Sequence, residues 1–322
     1  MKRRRYRRTK KIIPWWMGLL AFSSALFSGA ASKGVTPAWS KQYDVKWSDR
    51  IGTKLSDLSY GQGEFNTFDL YLPNDKTKET YGLVVYLHGG GFTTGDKAMD
   101  ESILAWLCSK GYVAAGINYT LRNEKNPQAS VLSQSNEIRD AMPFVVEAAS
   151  EAGYPVDRMA IAGGSAGHTL AMLYAYRDGK SAPVPVVLTF GSVGPSSFYQ
   201  EDWGIMGLDQ SDEACALLFG VMSGTSISPD EIADRSYLNK VKPISASMWI
   251  KDNPVPCVAA YGTHDRVQPF KASLRLKSAL EENAVDHAYF ELKHSGHGLQ
   301  NDNRQYRRWM ETIDEYLKRY MH

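Results

Sequence analysis

The chain has 322 residues, 43% of them hydrophobic and 22% charged, an ordinary globular composition that excludes collagen-like, coiled-coil and wholly disordered chains. At roughly 150 residues per domain the length allows one or two domains and a large buried core. The formal net charge of +2 is unevenly placed: eight Lys/Arg lie in residues 1–11, so 32–322 hold 29 basic and 35 acidic residues, and an acidic body without a basic patch argues against nucleic-acid binding.

The chain opens as a targeting segment. A basic stretch from Lys2 to Lys11 precedes an apolar run, Ile12–Phe27, and then the small residues Ser28, Gly29, Ala30, Ala31 and Ser32. Cleavage after Ala30 or Ala31 suits a secretory signal. The alternative is an uncleaved anchor, since the 20 residues from Ile12 to Ala31 are long enough to cross a bilayer. Pro14 and the Ser/Gly run make them a poor permanent span. The expected location is therefore exported, secreted or in the cell envelope, with membrane contact only through residues 12–31. The domain reading is 1–31 as signal or anchor and 32–322 as the working body.

Residues 33–50 show no periodicity. The alternation in Phe65–Pro73 reads as a half-buried strand ended by proline. Leu83–Leu87 is a continuous apolar run, as in a strand covered on both faces. Residues 98–110 read as a helix, Tyr112–Tyr119 as a strand, and 135–152 as a helix with Ile138, Met142, Val145, Val146 and Ala149 on its apolar face. Arg158–Ala162, Val184–Phe190, Val255–Tyr261 and His287–Leu292 read as further strands. Lys271–Glu282 and Arg304–Tyr320 read as helices. Such alternation is the signature of an α/β protein: a mostly parallel central sheet with helices on both faces. Residues 193–252 break the pattern and read as a lid-like insertion, because ligands bind outside the carboxyl ends of the strands in such sheets. Cys108, Cys215 and Cys257 read as buried free thiols.

The sharpest chemical signal is Gly163-Gly164-Ser165-Ala166-Gly167, set between a buried strand and a helix. A serine there occupies a tight strand-to-helix turn with its hydroxyl above the sheet, and small neighbours relieve the crowding. His88-Gly89-Gly90-Gly91-Phe92 follows the strand 83–87. Glycines let backbone N–H groups approach the negative oxygen that develops in acyl transfer. The candidate donors are Gly89, Gly90 and Ala166, with His88 bracing the loop. A phosphate-binding loop is the rival, but no Gly-Lys-Ser/Thr follows. Nucleophilic serine needs a base, and the base needs an orienting carboxylate. Asp265 follows strand 255–261 and His297 follows strand 287–292, giving the chain order Ser, Asp, His. His294 is the rival base.

On His88–Phe92, Gly163–Gly167, Gly262–Asp265 and Gly296–Gly298 the chain resembles the α/β-hydrolase esterases and lipases, the hormone-sensitive lipase-like and feruloyl/acetyl-xylan esterase-like enzymes among them. Phe68–Pro73 resembles the strand that leads into their oxyanion loop. The resemblance implies an α/β-hydrolase fold and a serine carboxylesterase acting on short-acyl esters, acylated carbohydrate among them, with Ser165, Asp265 and His297 catalytic and no metal or organic cofactor. It departs at His168, where the family has glycine; this side chain is expected to reach the acyl side of the pocket. Asn118–Arg122 matches the lipase-like pattern only loosely. Two other functions stay open: a serine peptidase of the same fold, and a binding protein that kept the fold without the chemistry.

Overall fold

The computed structural model describes residues 38–322, so the targeting reading of 1–31 lies outside the described residues. The elements in chain order are β1 (Gly52–Ser59), β2 (Thr67–Pro73), β3 (Tyr81–Leu87), α1 (Glu101–Ser109), β4 (Val113–Ile117), α2 (Val131–Glu151), β5 (Val156–Gly164), α3 (Ala166–Leu173) and β6 (Val186–Ser192). After β6 come α4 (Asp212–Ser223), α5 (Pro229–Ala233), α6 (Leu238–Val241), β7 (Cys257–Gly262), α7 (Phe270–Glu282), β8 (His287–Leu292) and α8 (Asn303–Tyr320).

The strands form one eight-stranded sheet in the order β1-β2-β4-β3-β5-β6-β7-β8. β1 pairs antiparallel with β2 and β2 antiparallel with β4; every later pairing is parallel. Handedness then fixes the layers. The crossover β3–α1–β4 runs toward the β1 edge, whereas β4–α2–β5, β5–α3–β6 and β7–α7–β8 run the other way. Right-handed crossovers in opposite directions put their helices on opposite faces, so α1 lies on one face and α2, α3 and α7 on the other. Trp106 of α1 and Trp309 of α8 line one cavity, which places α8 with α1.

Leu83, Val84, Val85 and Leu87 of β3 and Met159–Ala162 of β5 have no exposed surface. That is the expected state of central strands covered on both faces. The alternation in 65–73 misleads: β2 is buried along nearly its whole length. Its polar Asp69 is only 3% exposed because Lys97 reaches it at 3.1 Å and Lys54 at 3.5 Å. Paired in this way, a carboxylate is tolerated inside. The edge strand β1 had no counterpart in the sequence reading. α2 starts at Ser130, whose side chain and that of Ser133 cap each other's backbone N–H groups. All three cysteines are free and buried.

Residues 193–252 hold α4, α5, α6 and several single 3₁₀ turns. Their core is aromatic: Phe198, Trp203, Phe219 and Tyr237 pack at centroid distances from 5.4 to 6.0 Å. Arg275 of α7 fastens the segment by pairing with Asp202 at 2.6 Å and Glu201 at 3.1 Å while lying over the Tyr199 ring. At the end of α4, Gly224 abuts Ser130, at the start of α2.

Candidate active site

β5 delivers the chain to a strained turn. Ser165 has φ 53° and ψ −120°, a region that side chains rarely enter and that clusters at functional sites. The flanking glycines are obligatory. A β-carbon at Gly163 would stand 2.4 Å from the Gly167 carbonyl carbon, and one at Gly167 would stand 1.9 Å from the Leu87 oxygen. The hydroxyl that this turn raises lies 2.9 Å from His297 Nε2. His297 Nδ1 lies 2.7 Å from Asp265 Oδ2.

The other oxygen of Asp265 is also occupied. Oδ1 accepts from the backbone N–H of Val267 at 2.8 Å and of Gln268 at 2.9 Å. Asp265 is 2% exposed. An ionised carboxylate can only accept, so Nδ1 carries the imidazole proton and Nε2 is free to accept from Ser165. The structure thus brings Ser165, His297 and Asp265 together from three different loops at the carboxyl ends of β5, β8 and β7.

The loop holding His297 is tied down by Asp302. Its carboxylate accepts from the His294 backbone, His294 Nδ1 and the Ser295 hydroxyl. Ser295 Oγ in turn accepts from Asn301 N. His294, the rival base, is therefore spent on Asp302 with 79% of its side chain exposed, and it is not at Ser165.

Gly89 runs against the nucleophile: a β-carbon there would lie 3.5 Å from Ser165 Cβ. The N–H groups of Gly89 and Gly90 make no bond to another described backbone carbonyl. Ala166 is the first residue of α3, where the amide has no intrahelical acceptor. Among the described residues, none of these three N–H groups has a backbone acceptor. Gly90 has φ 119°, open only to glycine.

His88 is 1% exposed and contributes no group to the triad. Its Nδ1 lies 2.7 Å from Gly89 O, its ring stacks on Tyr119 at 4.3 Å, and the Tyr119 hydroxyl donates to His88 O at 2.8 Å. Burial lowers its pKa, which favours the neutral ring that donates to Gly89. The far end of the loop is held from α2. Gln134 Nε2 donates to Phe92 O at 2.9 Å and to Thr120 O at 2.8 Å. Glu137 accepts from Thr120 N at 2.7 Å. Gln134 and Glu137 escaped the sequence reading, because a polar residue on a helix gives no sign of a partner 42 residues away.

His168 corrects an expectation. It has no exposed surface and lies beneath the turn, its Nδ1 3.3 Å from the Gly194 N–H, so it cannot reach an acyl group. Burial pushes its pKa down to about 3, so the ring is neutral.

The comparisons agree with this geometry at the level of fold. Residues 68–198 match a family model described as BD-FAE, and 205–322 match one described as the prolyl oligopeptidase family. Ethyl acetate hydrolase of Pseudomonas putida is 29% identical over 126 residues, 38% of this chain and 38% of that protein. Esterase LipQ of Mycobacterium tuberculosis is 22% identical over 255 residues, 78% of this chain and 58% of that one. Esterase B from Lactobacillus rhamnosis superposes with a TM-score of 0.66 at 18% identity, covering 94% of this chain and 96% of that one. The chain spans between 27% and 58% of the length of the first curated relatives it matches. It has the α/β-hydrolase fold, with the eight-stranded, mostly parallel sheet and helices on both faces.

Proposed function

We propose that this chain is a serine hydrolase that cleaves carboxylic esters of short acids through an acyl-enzyme on Ser165. The observation that carries the reading is the unbroken hydrogen-bond line Ser165–His297–Asp265, at 2.9 and 2.7 Å. Ser165 Oγ attacks the ester carbonyl carbon as its proton passes to His297 Nε2. Asp265 holds the imidazole in the tautomer that can accept that proton and stabilises the imidazolium. The carbonyl oxygen becomes an oxyanion held by the N–H groups of Gly89, Gly90 and Ala166; each such donor is worth about 2.7–4 kcal/mol. The tetrahedral intermediate expels the alkoxide, which takes the proton from Nε2. Water then repeats the sequence on the acyl group, losing a proton to His297, and releases the acid and Ser165.

Short acyl groups are the first candidates because a curated relative is named for ethyl acetate. Acylated carbohydrate is the alcohol side to test first, in keeping with an exported enzyme, and export itself rests on residues 1–31. The 193–252 segment is proposed as a fixed wall of the site rather than a swinging lid, since Arg275 fastens it to α7 and its own aromatic cluster packs it internally. A second reading, a serine peptidase, is favoured by the prolyl oligopeptidase family match over 205–322. Hydrolysis of p-nitrophenyl acetate, butyrate and octanoate, of an acetylated sugar and of peptide amides separates the two. Turnover falling with acyl length and absent on peptides supports the esterase. Peptide turnover exceeding ester turnover overturns it.

A further inference from the structure

The cavity lined by Trp106 and Trp309, of about 340 Å³, opens between α1 and α8 on the face of the sheet away from α3. None of Ser165, Asp265 and His297 lines it. Yet it shares a wall with the elbow. Gly191, which pairs with Gly163, lines it, and so does Tyr86, whose hydroxyl lies 3.7 Å from where a β-carbon of Gly164 would stand. Tyr86 sits in the central strand β3, where Val84, Val85 and Leu87 have no exposed surface, but it is itself partly exposed.

The chemistry of the lining is one-sided. Tyr43, Tyr86, Trp106, Tyr306 and Trp309 present aromatic rings, Asp44 and Asp100 present carboxyl groups, and among the described residues no Lys or Arg lines the space. Neither Asp44 nor Asp100 joins an ion pair among the described residues. Asp100 is the more telling of the two. It stands at the N-cap of α1, where a carboxylate ordinarily accepts from a helix N–H, but makes no such bond. Its Oδ2 is buried without a partner. An unpaired buried carboxylate is costly and ordinarily finds a cation or a donor. The titratable groups facing it are Asp96 on its own loop, Tyr86 of β3, Tyr119 beyond β4 and, across the cavity, Tyr43, Asp44 and Tyr306, and none of these is a cation.

We propose that this cavity binds a small organic cation, a quaternary ammonium or alkylated amine, held between the aromatic rings and Asp100. Aromatic faces attract such cations through their negative π-clouds, and a carboxylate adds the countercharge. The volume is ample, since a cavity of roughly 150 Å³ already holds a benzene ring. Burial and Asp96 raise the Asp100 pKa to about 7. Below that value the carboxyl is neutral and the attraction weakens; above it the attraction is fully present.

The test is calorimetric titration of choline into the full-length Ser165→Ala protein, beside 3,3-dimethylbutanol as its uncharged isostere. Because no turnover is read, the outcome is independent of the proposed hydrolysis. Saturable choline binding is expected at about pH 8.5, with affinity lower by roughly tenfold or more at about pH 5.5. Asp100→Asn should bring the same loss at the higher pH. Ile103→Trp, which fills the rim and leaves Asp100 in place, should also abolish binding if the cavity is the site. No saturable binding at the higher pH overturns the proposal. So does choline binding that survives both substitutions, or that no more than equals that of the uncharged isostere.

Discussion

Asp265→Asn tests the chemistry of the triad with the smallest change in shape. The wild-type carboxylate accepts three hydrogen bonds: Val267 N and Gln268 N on Oδ1, and His297 Nδ1 on Oδ2. An asparagine has one oxygen and one NH₂. Turning the NH₂ toward Val267 and Gln268 would set donors against donors and leave two buried N–H groups unpaired, at about 1–3 kcal/mol each. The oxygen therefore stays on Oδ1's side and the NH₂ faces His297. Nδ1 must then accept, Nε2 must carry the proton, and Nε2 can no longer take the proton of Ser165. The expected loss in kcat is roughly 10⁴-fold, or about 5.4 kcal/mol at 1.36 kcal/mol per decade. Because Oδ1 keeps its two partners, the melting temperature should hold to within a few degrees. Steady-state kinetics on p-nitrophenyl acetate beside a thermal melt checks both halves. A variant within about tenfold of wild type would refute the tautomer argument.

Four further substitutions, in three experiments, examine other parts of the site. His297→Ala should lower kcat by several orders of magnitude while His294→Ala leaves it within about twofold, because only the first ring meets Ser165; equal losses in the same assay would contradict the assignment. His168 is neutral in the fold with its pKa lowered to about 3, so the unfolded chain binds a proton there first, and stability is lost as pH falls from about 6.5 toward 3. Urea unfolding at about pH 7 and pH 5 should show wild type losing about 2 kcal/mol more than His168→Asn; parallel losses would remove His168 as the cause. Gln134→Leu strips the side-chain donor from Phe92 O and Thr120 O, so kcat should fall about tenfold or more with KM little changed and the circular dichroism spectrum native, as the oxyanion loop loosens; unchanged kcat would show that the loop holds itself.

The alternation of apolar runs and helices made the parallel sheet legible, because buried strands in such a sheet have few polar interruptions. Gly163–Gly167 was legible for a local reason: the backbone approaches within five residues, so the glycines lie next to the serine they serve. What escaped depends on contacts distant in sequence. Asp69 makes β2 look half-exposed, and only Lys54 and Lys97, brought in by the fold, explain its burial. β1 carries a bulge between Leu55 and Leu58, with Asp57 at φ 56°, which interrupts its alternation. Within 193–252, α5 and α6 are too brief, at 5 and 4 residues, for a 3.6-residue period to show, and the aromatic cluster that packs them with the longer α4 forms only after folding. His168 is the clearest misreading. Its place one residue beyond the elbow suggested the pocket, but α3 turns that position down onto β6, where Gly191 leaves room for the ring.

The most direct test of the central claim is intact-protein mass spectrometry after rapid acid quench of the enzyme with p-nitrophenyl acetate. The account predicts a transient mass increase of one acetyl group, located on the peptide containing Ser165, formed as p-nitrophenol is released and absent in Ser165→Ala. Turnover without that adduct, or an adduct and turnover that persist in Ser165→Ala, would contradict it.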